Sequence, residues 1–256
     1  MPSGLAGKVI IVAGAATGIG AATAHRLASE GARVVVGDIK LEGAENVASQ
    51  IAAKGGEALA VQFDIGDAES NNALVAKAIA HFGTLDGMHI NATNNKRTDE
   101  DLDALRTDMA VFDLMHSIVL RGHLLCTRAS LPELLKRGGG PIVYTSSDGG
   151  KSQADIRMSY YVAKAGLNAL MRHVAFRYAR EGIRANSICP GLTLTEAVMW
   201  GMTAEERALS LGKIPSGRAG EPSDMAAMVA FLLSDDARHV NGQAISINGG
   251  SLMAVG

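Results

Sequence analysis

Tyr160-Tyr161-Val162-Ala163-Lys164 opens a stretch of helical composition, and in a helix residues 160 and 164 share a face. They are separated there by about 6 Å of rise. A tyrosine and a lysine one turn apart suit proton transfer. The free phenol has a pKa of about 10, and a neighbouring ammonium stabilises the phenolate. Tyr161 is turned about 100° away from Tyr160 on the same helix, with Ala165 four residues on, and is the poorer candidate. A solvated tyrosine–lysine pair on a surface helix has the same spacing, so the pair acquires meaning only from what surrounds it.

A second element able to do chemistry lies near the start. Gly14-Ala15-Ala16-Thr17-Gly18-Ile19-Gly20 stands between the β-branched run Lys8–Ala13 and a helical stretch that ends at Gly31. Glycines in that context let the chain turn sharply and let a pyrophosphate approach the backbone, while the unpaired N–H groups of a helix start face the anion. Asp38 ends the next apolar run, eighteen residues after Gly20, followed by Ile39. A carboxylate at that offset accepts hydrogen bonds from ribose hydroxyls and repels a 2′-phosphate, so the expected cofactor is NAD rather than NADP. Lys40 has no arginine beside it to hold such a phosphate.

The intervening sequence supplies the elements that must position these groups. Arg33–Gly37, 59–63 and 85–91 read as further strands, separated by alanine-rich helical stretches at 41–54 and 67–82. A long helical stretch over about 110–137 is stopped by Gly138-Gly139-Gly140-Pro141. Strands at 142–146, 183–188 and 244–247 alternate with helices around 158–180 and 223–233. Strict alternation predicts a single α/β domain over residues 1–256. Its sheet is parallel and doubly wound, Rossmann-like, with about seven strands and helices on both faces. Residues 192–222 follow Pro190-Gly191, carry the only tryptophan, Trp200, and form a candidate lid beyond the strand ends.

Composition narrows the class further. The 256 residues carry 24 Lys+Arg against 26 Asp+Glu and no basic block, which argues against nucleic acid or an anionic membrane as partner. Cys126 and Cys189 make no disulfide framework, and no Cys/His cluster has metal-ligand spacing, so no metal is expected. No signal peptide or membrane span is read, and a reducing, cytoplasmic setting is the expectation.

Taken in order, the Gly14–Gly20 turn, Asp38, Asp64, Asn91-Ala92, Ser147 thirteen residues before Tyr160, Tyr160-x-x-x-Lys164 and Pro190-Gly191-x-x-x-Thr195 resemble the short-chain dehydrogenase/reductase family from Lys8 to about Gly250. The resemblance implies hydride transfer between nicotinamide and a secondary alcohol or ketone. It implies Tyr160 as general acid/base, Lys164 as holder of the ribose hydroxyls that also depresses the tyrosine pKa, and Ser147 as hydrogen-bond partner of the substrate oxygen. It further implies Asp64 and Ile65 beside the adenine, Asn91 and Ala92 beside the adenosine ribose, Thr193 and Thr195 near the carboxamide and phosphates, and a homotetramer or dimer.

Two departures stand against the family pattern. Val119 occupies the place of an asparagine that links the lysine to a proton relay, and Ile90-Asn91-Ala92-Thr93 replaces N-N-A-G. The alternatives are therefore a catalytically weak or non-catalytic NAD-binding protein, or an NADPH-dependent carbonyl reductase. An enoyl reductase is disfavoured because that branch spaces its tyrosine and lysine more widely. The substrate pocket is expected from residues 94–97, 148–157 and 192–215, with Leu194, Met199, Trp200 and Met202 as an apolar cover.

Overall fold

The computed structural model describes residues 4–93, 97, 99–152, 154–196 and 203–253. The apolar run at the start becomes β1 (Val9–Ala13), every residue of which is buried. Alternate side chains of β1 serve opposite layers. Val9, Ile11 and Ala13 join one core, Ile10 and Val12 the other. A strand buried on both faces reads as a continuous apolar run rather than an alternating one, as it does here.

The remaining elements repeat this unit. In chain order they are α1 (Gly18–Ser29), β2 (Arg33–Asp38), α2 (Leu41–Ala53), β3 (Glu57–Gln62), α3 (Ala68–Phe82) and β4 (Gly87–Ile90). There follow α4 (Met109–His116), α5 (His123–Lys136), β5 (Gly140–Thr145), α6 (Met158–Arg177), β6 (Ile183–Pro190), α7 (Ala204–Leu211), α8 (Pro222–Leu233) and β7 (Ala244–Ile247). The seven strands form one parallel sheet in the order β3-β2-β1-β4-β5-β6-β7. Helices α3, α5 and α6 pack on one face, α1, α2 and α8 on the other. The strand order reverses between β1 and β4, and ligands of such sheets bind at the carboxyl ends of the strands beside that reversal.

Two local outcomes differ from the sequence expectation. The long stretch after residue 109 is helical throughout, but Ser117–Gly122 between α4 and α5 forms a π-turn. Gly122 lies there because a Cβ would come 3.0 Å from the Ile65 carbonyl oxygen. Secondly, Gly140 and Pro141 belong to β5 rather than to the helix stop, since Gly140 pairs with Ile183 and Pro141 with Arg184. A bridge joins Thr193 to Gly220, and α7 buries none of its side chains. Asn94, Gln153, Met199, Trp200 and Met202 lie outside the described residues.

His89 in β4 and His123 at the start of α5 are fully buried. The Nε2 of His89 lies 2.8 Å from the Thr145 hydroxyl, whereas His89 Nδ1 and His123 Nε2 have no hydrogen-bond partner among the described residues. Burial lowers both imidazoles to about 3. An unfolded chain takes up these protons near pH 6.5 and the fold does not, so stability falls as pH drops from 6.5 towards 3. The slope is about 1.4 kcal/mol per pH unit for each histidine. His89→Val is therefore expected to roughly halve the pH dependence of unfolding free energy between about pH 6 and 4.5, measured by denaturant titration at several pH values.

Candidate active site

At the β1 end, Gly14 adopts φ +89°, and a Cβ there would lie 2.5 Å from the Ala92 Cα. At Gly20 a Cβ would overlap the Gly14 carbonyl oxygen. These contacts are the physical demand for glycine: β1, β4 and the start of α1 approach backbone to backbone. Asn91 completes the join, its Nδ2 donating to the Gly14 carbonyl at 2.8 Å. Thr17 occupies the N-cap of α1 yet makes no side-chain cap, so its hydroxyl leaves the first amides of that helix to another acceptor. Thr195 comes in from the far loop, its Cγ2 3.3 Å from where a Gly18 Cβ would be.

Asp38 has a role that spacing alone did not reveal. Its Oδ2 accepts from the Ala16 N–H at 2.9 Å and its Oδ1 from the Lys40 N–H at 3.0 Å. The carboxylate thus braces the glycine turn. Ile39 beside it is exposed. Asp64 accepts from the Gly66 N–H at 2.8 Å, and Ile65 is buried with its carbonyl bonded by Asn71. These residues form one cradle from Gly14 to Asn91, and an anionic dinucleotide fits it: uncapped amides for the pyrophosphate, a carboxylate for the ribose.

Ser147, Tyr160 and Lys164 come together at the end of β5. Ser147 is extended and caps the short turn Asp148–Gly150, its Oγ accepting from the Gly149 N–H at 3.0 Å. A Cβ placed on Gly149 would meet Ser147 Oγ at 3.3 Å and the ring edges of Tyr160 and Tyr161 at 3.4 Å, which measures how closely they converge. The Ser147 hydroxyl lies near enough to the Tyr160 phenol to favour its ionisation. Lys164 is buried, and its Nζ donates to the Thr145 carbonyl at 2.7 Å and lies 5.6 Å from the Tyr160 ring centre. Pro190 ends β6 alongside, Gly191 follows it, and the Thr193 hydroxyl donates to the Gly191 carbonyl at 3.2 Å.

Burial pushes the Tyr160 phenol above its usual value, opposed by the nearby Ser147 hydroxyl and the Arg157 charge. The Lys164 ammonium gives one of its three donors to Thr145 and is itself lowered to about 8 by burial. Val119 is fully buried against Met115, Ala163 and Tyr160, an apolar wall behind the tyrosine. It offers the lysine no hydrogen bond.

The geometry accords with what the chain resembles. A probable short-chain type dehydrogenase/reductase of Bradyrhizobium diazoefficiens is 42% identical over 249 residues, 97% of this chain and 89% of that relative. The chain belongs to the short-chain dehydrogenase/reductase family. The family model that matches it, over residues 14–251, is described as enoyl-(acyl carrier protein) reductase. Another relative of this dehydrogenase/reductase, cis-4-hydroxycyclohexanecarboxylate dehydrogenase of Sinomonas cyclohexanicum, is 39% identical over 98% of both chains. A solved 7α-hydroxysteroid dehydrogenase, complexed with NADH and 7-oxo glycochenodeoxycholic acid, superposes with a TM-score of 0.93 at 32% identity, covering 100% of this chain and 98% of that one. The chain is thus an oxidoreductase whose named relatives act on CH–OH groups.

Because the turn depends on a backbone approach at Gly20, Gly20→Ala is expected to weaken NADH binding by more than about tenfold and to lower Tm. Gly55→Ala, at φ +82° with nothing nearby, is expected to cost about 1 kcal/mol of stability and leave the affinity unchanged. Fluorescence titration and thermal melts of both variants check this.

Proposed function

We propose that this protein interconverts a secondary alcohol on an alicyclic ring and the corresponding ketone, with NAD as the hydride partner. One observation carries the reading: the Ser147–Tyr160 hydroxyl pair, with Lys164 beneath it, stands at the same strand ends as the Asp38-braced glycine turn. The ring substrate is supported by the two named relatives that handle hydroxylated rings. When bound, the nicotinamide supplies or accepts the hydride.

In the oxidation direction Tyr160 takes the proton of the alcohol as its phenolate, and Ser147 donates a hydrogen bond to the substrate oxygen as charge builds there. Lys164, one turn on, holds the nicotinamide ribose hydroxyls. Gly14, Thr17, Gly18, Ile19 and Gly20 cradle the pyrophosphate with backbone amides, Asp38, Ile39, Asn91 and Ala92 flank the adenosine ribose, and Asp64 and Ile65 line the adenine side. Pro190, Gly191, Thr193 and Thr195 close over the carboxamide. Asp38 favours NAD because a 2′-phosphate would meet an anion already fixed by two amides.

A second reading, a weak or non-catalytic NAD-binding protein, is favoured by one observation: the apolar Val119 side chain where the family carries a relay asparagine. Enoyl reduction is disfavoured by the four-residue step between Tyr160 and Lys164. We further propose a cytoplasmic homotetramer or dimer. Phe176 at 90% exposure, with Val162 on the same helix and Leu124 on α5, supports association.

The test is NADH absorbance against cyclohexanols, hydroxysteroids and their ketones, with crotonyl-CoA as the enoyl control and light scattering for assembly. Turnover with ring alcohols, a lower KM for NAD than for NADP, and loss of activity by about a hundredfold or more in Tyr160→Phe are expected. Oxidation should accelerate with rising pH as the raised phenol ionises, and ketone reduction should slow. NADH binding without turnover would establish the second reading, and turnover of crotonyl-CoA alone would overturn the alcohol reading.

A further inference from the structure

The first turn of α6 carries Tyr160 as its third residue, and nothing local caps it. Arg157, at the N-cap, is held at φ +66°, a left-handed conformation, and makes no side-chain cap. The orphan amides are instead filled from one remote place. Asp101 Oδ1 accepts from the Ser159 N–H at 3.0 Å and Asp101 Oδ2 from the Tyr160 N–H at 2.9 Å. Its backbone joins in, the Asp101 carbonyl accepting from the Arg157 N–H at 2.8 Å and the Leu102 carbonyl from the Met158 N–H at 3.1 Å.

Four successive amides, 157 to 160, are therefore held by residues 101 and 102. Asp101 is only 1% exposed, so its carboxylate is bound in place by these bonds and not by water. The holding loop is itself folded. The Leu102 N–H donates to Thr107 Oγ1 at 3.0 Å, Thr107 N–H to the Asp103 carbonyl at 3.0 Å, and Asp108 caps α4.

We propose that Asp101 is a positioning residue for the reaction assigned above: its carboxylate sets the height and rotation of the first turn of α6, and with them the meeting of the Tyr160 phenol with Ser147. The inference rests on that functional reading for its kinetic consequence only. A two-point carboxylate clamp on consecutive amides fixes both rotation about the helix axis and translation along it, which a single acceptor cannot do. Displacements of about 1 Å at a reacting group can cost about a hundredfold in rate. Among the described residues the hydrogen bonds of Asp101 go to residues 157, 159 and 160 and none to the cradle residues Gly14, Asp38 or Asn91, so the cradle is expected to keep its geometry without the clamp.

The phenol also offers a readout whose direction separates two explanations. Around Tyr160 the charged or titratable neighbours are Arg157 at the N-cap, Tyr161 and Lys164 on its own helix and Cys189 on β6, with the Ser147 hydroxyl beside it favouring ionisation. Loss of a nearby anion alone would ease ionisation and move the phenol titration to lower pH. Withdrawal of the phenol from the Ser147 hydroxyl through displacement moves it to higher pH.

The experiment compares Asp101→Ala, Asp101→Asn and Asp86→Ala in the full chain. Asp86 accepts from the Val9 N–H, and pairs with Arg137, at the amino ends of β1 and β4, the opposite end of the strands from the site, and serves as the control for a lost carboxylate-to-amide bond. Expected for Asp101→Ala are a kcat lowered about tenfold or more, an NADH affinity within about twofold, and a Tyr160 resonance in 13C-tyrosine spectra that titrates at higher pH. Asp101→Asn, which keeps one acceptor oxygen, should lie between, and remains the informative variant if alanine prevents folding. Asp86→Ala should lower Tm without moving kcat or the titration. An unchanged or downward-shifted Tyr160 titration in the Asp101 variants would overturn the proposal, as would an equal kcat loss in Asp86→Ala. Should the wild type turn over no substrate, the functional reading fails while the titration still decides the clamp.

Discussion

A lysine ammonium buried at 2% exposure is the constraint around which this site is organised. Stripping it of water is unfavourable, as its lowered pKa records, and it is offset by one short bond to the Thr145 carbonyl. That bond requires the last residue of β5 and the second turn of α6 to meet, which carries Ser147 and Tyr160 into the same few ångströms. Ser146 reinforces the junction, donating to the Lys164 carbonyl at 3.3 Å. Burial that depresses the lysine also raises the tyrosine, so the two groups are shifted by one cause and in opposite directions.

The cofactor side is built on a different principle. Backbone approaches backbone at Gly14 and Ala92, and the joint is closed by Asn91 and braced by Asp38. Both halves lie at the carboxyl ends of parallel strands, where the reversal between β1 and β4 opens a crevice. Asp101 extends this logic: the loop leaving β4 returns to cap the helix that leaves β5, so strand ends adjacent in the sheet are also tied above it.

Much of this was legible in residue order. The β-branched runs, the alanine-rich stretches and the glycine turn specify an α/β alternation because burial on both faces leaves no polar period in a strand. The offsets of Asp38, Ser147, Tyr160 and Lys164 were readable because turn and helix geometry convert spacing into position. Less readable was Asp101, one of five acidic residues between 99 and 108 with no local pattern to distinguish it. The π-turn at Ser117–Gly122 likewise has no periodicity of its own. The two buried histidines, His89 and His123, stand in runs that read as ordinary strand and helix.

By itself, then, the sequence determined the class of fold and the order of its elements, since these follow from local spacing and hydrophobic pattern, and it named the candidate side chains of the site. Only the tertiary structure decided how those side chains are charged and held. That Lys164 donates to the Thr145 carbonyl, that Asp38 braces the turn and that Asp101 caps α6 depend on distances between residues far apart in the chain. Burial and hydrogen bonding set such properties, and neither exists until the sheet has closed.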